Sequence, residues 1–89
     1  MARTRHAVRS CETLTQVQEA AVEYNLRTTR PNDHRVSRVT ARMIREWCKA
    51  HGYTDEQAGN CVRDTFDHIA LERVAAGYSL RGTRWVRTL

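Results

Sequence analysis

Apolar residues recur every three or four positions in three separate segments of the chain, a spacing typical of amphipathic α-helices. These segments predict helices near residues 13–26, 37–51 and 54–76. The positions predicted to face a shared core are Leu14, Val17, Ala20, Ala21, Tyr24, Val39, Met43, Ile44, Trp47, Cys48, Ala58, Cys61, Val62, Phe66 and Ile69. We therefore expect a mainly α protein, a compact three-helix domain in which an N-terminal helix packs against a helical hairpin.

Capping residues set the expected ends of these helices. The segments Thr13–Gln16 and Thr54–Gln57 both match the capping box, in which two side chains satisfy backbone N–H groups at a helix start. Ser37 is predicted to cap the second helix. Gly52 and Gly77 are predicted to end the second and third helices, because glycine adopts the left-handed conformation without steric cost.

The remaining segments are less regular. The sequence RTTRPNDHR, residues 27–35, contains the only proline and is predicted to be a loop of about ten residues. The two ends, ARTRHAVRS and YSLRGTRWVRTL, alternate loosely between polar and apolar residues. They are interpreted either as short strands, paired with each other, or as basic arms. A chain of 89 residues suits one domain, residues 1–89, and is too short for a deep cleft between two lobes.

Cations line one side of the predicted second helix. Arg38, Arg42, Arg45 and Lys49 lie within roughly 60° of one another on a helical wheel, opposite the apolar positions, and Arg35 joins them if the helix begins early. We call these five residues the basic ridge. Charged helix faces are most often simply solvated. A solvated face usually mixes signs at a spacing of four, however, so a binding role for the basic ridge is an equally supported interpretation.

The chain as a whole is basic, and its C-terminal segment adds further cations. The net charge of +5 and the isoelectric point near 9.7 favour polyanions or acidic protein surfaces as partners. Three arginines bracket an aromatic residue near the C-terminus: Arg81, Arg84 and Arg87. Arginines around Trp85 suit phosphate contact with base stacking. The interpretation that we favour for Trp85 is packing on Leu71 and Val74 of the third helix.

The second and third helices have the cadence of a helix-turn-helix motif, with Gly52 at the turn. In that motif the third helix would enter the DNA major groove with its first turns. Here its polar side carries Asp55, Glu56, Asp64 and Asp67, which phosphates would repel. We therefore interpret the pair as a plain helical hairpin and take the basic ridge as the better candidate surface for nucleic acid.

Candidate chemistry in the sequence is sparse. Cys48, His51, Cys61 and His68 approach one another in a helical hairpin and suggest zinc, but the cysteines occupy core positions and no CxxC pair is present, so no metal is expected. The chain has neither a glycine-rich phosphate loop nor a nucleophile motif, so neither a cofactor nor enzymatic activity is expected. The odd cysteine count and the lack of a long apolar stretch indicate reduced thiols in a cytoplasmic protein without a membrane partner.

Two functions fit these features. The first is a small basic accessory protein that binds nucleic acid. The second is a protein-binding modulator or inhibitor, of the kind carried by mobile elements, that occupies an acidic or nucleic-acid-binding surface of a host complex. The residues expected to contact either partner are Arg35, Arg38, Arg42, Arg45, Lys49, Arg81, Arg84 and Arg87. Self-association of oppositely charged faces, giving a homo-oligomer, is compatible with both.

Overall fold

The structure, a computed structural model, describes residue 8, residues 10–28 and residues 30–88. The elements in chain order are α1 (Leu14–Thr28), α2 (His34–Ala50), α3 (Asp55–Ala75), β1 (Tyr78–Arg81) and β2 (Arg84–Arg87). The three helices all contact one another, and the two strands pair as an antiparallel hairpin that lies against α3 through β1. The expected mainly α, three-helix fold is confirmed. Within the described residues no helix is long and apolar enough to cross a membrane.

The predicted helix ends are mostly present. The Thr13–Gln16 capping box forms at the start of α1, with side-chain to backbone bonds of 3.2 and 3.3 Å. The Thr54–Gln57 capping box forms in the same way at the start of α3. Gly52 and Gly77 follow α2 and α3 with φ angles of +81° and +97°, where a side chain would be strained.

Helix α2 begins earlier than predicted, and Ser37 is not its cap. The cap is Asp33, whose carboxylate accepts hydrogen bonds from the backbone N–H groups of Arg35 and Val36 at 3.0 and 3.4 Å. A carboxylate at this position also interacts favourably with the positive N-terminal end of the helix dipole. A neutral serine side chain lacks this charge interaction. Because α1 continues to Thr28, the connection between the two helices is much shorter than the predicted loop.

The core lies where the three helices meet. Val17, Ile44 and Cys48 have no exposed surface, and Trp47 is 5% exposed. The buried positions of α3 are Ala58, Cys61, Thr65, Ile69 and Arg73.

This stripe differs from the predicted one. Val62 and Phe66, which were predicted to be buried in the core, are half-buried on the flank of α3, and Val62 packs against the edge of the core. The physical reason is the rotation of α3 about its axis, which turns Thr65 and Arg73 toward the bundle in their place.

A chain of polar side chains crosses the core, and the sequence patterns did not predict it. Arg73 Nη2 donates to Asn25 Oδ1 at 2.9 Å, and Asn25 Nδ2 donates to Thr40 Oγ1 at 3.1 Å. The Thr40 hydroxyl donates in turn to the backbone oxygen of Val36 at 2.8 Å. Asn25 and Thr40 are fully buried, so these bonds satisfy groups that water cannot reach. Since each helix contributes one side chain, the network fixes the helices relative to one another.

The C-terminal segment forms both strands of its own hairpin. Gly82 has a φ of +64° and Thr83 a negative φ, the pattern of a type II′ turn, whose twist matches the flanking strands. Tyr78 pairs with Arg87 at the far end of the ladder. Among the described residues, each strand of this hairpin pairs only with the other strand. Residues 1–7 and 9, on which the N-terminal prediction mostly falls, lie outside the described residues.

Candidate cationic binding surface

The basic ridge faces solvent because α2 is amphipathic. This helix buries Met43, Ile44, Trp47 and Cys48 against α1 and α3, which turns the opposite side to solvent. All five residues of the basic ridge are exposed, as their positions on the wheel predict. Arg35 belongs to the ridge because α2 starts at residue 34.

Few carboxylates neutralise the basic ridge. Arg35 Nε lies 3.8 Å from Asp33 Oδ1, and with the arginine side chain 85% exposed this ion pair is weak. The other four residues of the ridge form no ion pair with any described residue. Glu46, the one carboxylate within α2, pairs with none of them. Most of the positive charge of α2 therefore faces solvent without a partner in the described part of the chain.

The three arginines of the β-hairpin, Arg81, Arg84 and Arg87, lie on two different faces of the two-stranded sheet. Arg81 and Arg84 lie directly opposite each other in the ladder, so their side chains share one face. Arg87 and Trp85 belong to the other face, since successive residues of a strand alternate. The Arg87 guanidinium donates to the Tyr78 hydroxyl at 3.1 Å and lies 5.4 Å from the centre of that ring. All three arginines are exposed, and Arg81 and Arg84 are the pair that points away from Trp85.

Trp85 is half-buried and packs on Arg73 of α3. Its ring lies 5.5 Å from the Arg73 guanidinium, a cation–π contact at the edge of the core. Leu71 and Val74 are 71% and 57% exposed because they lie on the solvent side of α3. The predicted packing of Trp85 on the third helix is confirmed by its contact with Arg73.

Asn32 joins the hairpin to the start of α2. Its Oδ1 accepts a hydrogen bond from the backbone N–H of Trp85 at 2.8 Å, and its Nδ2 donates to the Trp85 oxygen at 3.1 Å. The amide thus takes the place of a neighbouring strand on the free edge of β2. Because Asn32 directly precedes the Asp33 cap, this clamp brings β2 beside the first turn of α2. Arg81 and Arg84 and the basic ridge accordingly lie on neighbouring elements.

The opposite side of the bundle is acidic. A groove of about 520 Å³ runs between α1 and α3, with Glu19, Glu23, Asp64 and His68 in its walls. Since α2 contacts both of these helices, the groove lies on the side of the bundle away from the basic ridge. Helix α3 contains five carboxylates and two arginines, whereas α2 contains five cations and one carboxylate. The molecule is electrically two-sided.

The exposed residues of α3 bear on the helix-turn-helix interpretation. The first turn carries Asp55 and Glu56, and Asp64 and Asp67 follow on the exposed side. A groove-reading role for this helix would bring all four carboxylates toward phosphates. The arrangement agrees with a plain helical hairpin.

Two of the three thiols, those of Cys48 and Cys61, are buried inside the bundle. Burial raises the pKa of Cys61, which the nearby Cys48 raises further, and burial likewise raises the pKa of Cys48 despite a hydrogen bond with Cys61. Both thiols are therefore protonated at neutral pH and are poor nucleophiles and metal ligands in that form.

The two histidines considered with them point elsewhere. The His51 ring stacks on Trp47 with centroids 3.9 Å apart, and its Nδ1 lies 2.8 Å from the Trp47 oxygen. His68 lies in the groove between α1 and α3, with Nε2 3.6 Å from Glu72. Across the described part of the chain, no three histidine, cysteine or acidic residues are grouped so that they could hold a metal ion.

Comparisons with known proteins add no relative. No family model matches the chain, and neither the curated proteins nor the solved structures contain a match.

Proposed function

We propose that this protein binds nucleic acid through the basic ridge together with Arg81 and Arg84. The observation that supports the proposal is the ridge itself, in which four exposed cations on one helix face have no carboxylate partner among the described residues. The ridge extends over about 20 Å at 1.5 Å per residue. A duplex presents about six phosphates on each strand over that length.

The chemistry of the ridge suits phosphates. Arginine donates two parallel hydrogen bonds to a phosphate, and four of the five ridge residues are arginines. The ridge contains no asparagine or glutamine, the side chains that read adenine. Because phosphate contacts carry no sequence information, we expect similar affinity for duplexes of different sequence.

The test is a titration of the purified protein with labelled duplex DNA, single-stranded DNA and duplex RNA at several salt concentrations. Binding should weaken steeply with salt, because contacts to phosphate release condensed counterions. In the variant Arg42→Gln/Arg45→Gln, affinity should fall and the slope of log affinity against log salt should flatten by about 2 units.

The matched control is Arg27→Gln/Arg63→Gln, which removes the same charge from exposed positions on α1 and α3. It should change affinity only slightly. Equal losses in the two variants would show that net charge alone drives binding and would contradict the proposal. The same holds if the wild-type protein binds none of the three nucleic acids at physiological salt.

A second candidate function, a modulator that docks on an acidic protein surface, is supported by apolar residues on the hairpin. Val86 is 43% exposed and lies on the same face as Arg81 and Arg84. Leu80, on the other face, is 53% exposed. Arginine beside exposed apolar surface is typical of protein interfaces. This candidate predicts no binding to nucleic acid at physiological salt and a partner whose association rate falls as salt rises.

A further inference from the structure

The groove between α1 and α3 carries charge that the described residues do not neutralise. Glu19 in one wall and Asp64 in the other are exposed and form no ion pair with any described residue. Glu23 pairs with Arg27 at 3.2 Å, but both side chains are more than half exposed and the pair is correspondingly weak. The groove therefore offers a negative surface with open space above it.

The shape and spacing of the groove fit a cationic helix. Two helices packed side by side leave a channel along their length in which a third helix can lie. Glu19 and Glu23 are separated by one helical turn, about 6 Å along the axis. Arg38 and Arg42 on α2 have the same separation. Val22, which also lines the groove, provides apolar surface for the methylene stems of long cationic side chains.

We propose that this groove binds the basic ridge of a second copy of the chain. Charge complementarity supports this occupant, because the same molecule presents a cationic helix face and an anionic groove, neither of which the described residues neutralise. The two surfaces lie on opposite sides of the bundle, so one copy cannot satisfy both of its own surfaces. The contact is head to tail: a pair of molecules keeps one free ridge and one free groove, to which further copies add.

The energetics set the expected strength of this contact. The groove is small compared with the interfaces of stable dimers, so the association is weak. It is also sensitive to salt, because exposed charges are screened beyond about 10 Å at 0.1 M ionic strength. The proposal does not rest on nucleic-acid binding, although both use the basic ridge.

Sedimentation velocity of the purified, nucleic-acid-free protein is the test. At about 20 mM salt the average mass should rise above the 10.3 kDa of one chain as protein concentration increases, and it should return to the monomer value at about 0.5 M salt. The groove variant Glu19→Lys/Asp64→Lys should remain monomeric at low salt. The ridge variant Arg42→Glu/Arg45→Glu should do the same.

Mixing the two variants separates a specific contact from general attraction. The groove variant keeps an intact ridge and the ridge variant keeps an intact groove, so the mixture should associate at low salt although neither variant does so alone. The matched control is Glu56→Lys/Asp67→Lys, which makes the same charge change at exposed positions of α3 outside the groove, and it should associate as the wild type does. Circular dichroism checks that each variant is folded.

Three results would overturn the proposal. These are a wild-type chain that stays monomeric at low salt, a groove variant that still associates, and a control that loses association as completely as the groove variant. None of them depends on whether nucleic acid binds, so failure here and failure of the proposed function are distinguishable.

Discussion

Arg73 shows how a single side chain can connect the core to the C-terminal hairpin. The residue is only 9% exposed, and its guanidinium bonds to Asn25 on one side and lies against the Trp85 ring on the other. Burial lowers the pKa of Arg73, because the charged form loses hydration, but an arginine stays charged at any physiological pH. The charge is therefore stabilised by an amide oxygen and an aromatic face.

Replacing Arg73 should destabilise the bundle through the groups it leaves behind. In Arg73→Met the buried Asn25 oxygen loses its donor, which should cost about 1–3 kcal/mol in the free energy of unfolding. In Asn25→Leu/Arg73→Met the orphaned oxygen is gone as well, so the double variant should lose less than the sum of the two single variants. Urea denaturation measures all three, with the exposed Arg63→Met as the control, expected within about 0.5 kcal/mol of wild type. Strict additivity would mean that the network is not coupled.

The sequence could not predict the hydrogen-bond network of Arg73, Asn25 and Thr40, because residue type alone does not show that these side chains are buried. An arginine, an asparagine and a threonine on helices are usually solvated, and hydrophobic spacing placed Val62 and Phe66 in the buried stripe of the third helix beside Ala58, Cys61 and Ile69. The rotation of a helix about its axis depends on packing with its neighbours, which one segment does not encode. The positions of the basic ridge were predictable because its cations lie opposite a strongly apolar face on the same helix.

At the scale of elements, the sequence predicted the features that depend on neighbouring residues better than those that depend on residues far apart in the chain. The two capping boxes and the glycine terminators act within a few residues, and all of them were predicted. Asp33 was not predicted as the N-terminal cap of α2, because Pro31 made residues 27–35 resemble a loop. The sequence did not decide whether the C-terminal segment forms strands. The attachment of the β-hairpin to the start of α2 depends on Asn32, which is distant in sequence from Trp85, and nothing in the residues around Asn32 predicts this contact.

The Asn32 clamp gives a prediction for the hairpin as an element. Asn32→Ala should release β2 from the start of α2, because both hydrogen bonds to the Trp85 backbone are lost. Asn32→Asp should have a smaller effect, since a carboxylate still accepts from the Trp85 N–H but cannot donate to its oxygen. Amide hydrogen exchange by NMR should show faster exchange at Trp85 in the order wild type, Asp, Ala, while the Ile44 amide in the core keeps its protection. Unchanged exchange at Trp85 in Asn32→Ala would contradict a clamping role.

At the scale of the whole molecule, charge is separated more than stability requires. Like charges at spacings of three and four on a helix repel one another, by about 0.2–0.5 kcal/mol for each pair. The carboxylates that could relieve this repulsion lie instead on α3 and around the groove. A surface that binds partners commonly carries a stability cost of this kind, because the arrangement that suits the partner is not the one that suits the isolated fold.

This separation predicts that neutralising part of the basic ridge stabilises the protein. Arg42→Gln/Arg45→Gln should raise the free energy of unfolding by about 0.5–1 kcal/mol at low salt, since several repulsive pairs disappear and both residues are exposed. The gain should shrink at about 0.5 M salt, where the repulsion is already screened in the wild-type protein. Arg27→Gln/Arg63→Gln removes the same charge but breaks the attractive pair with Glu23, so it should give no gain. Urea denaturation at two salt concentrations makes the comparison. A ridge variant that is less stable than wild type at low salt would mean that the ridge is a favourable solvated face, and the stability argument for a binding role would fail.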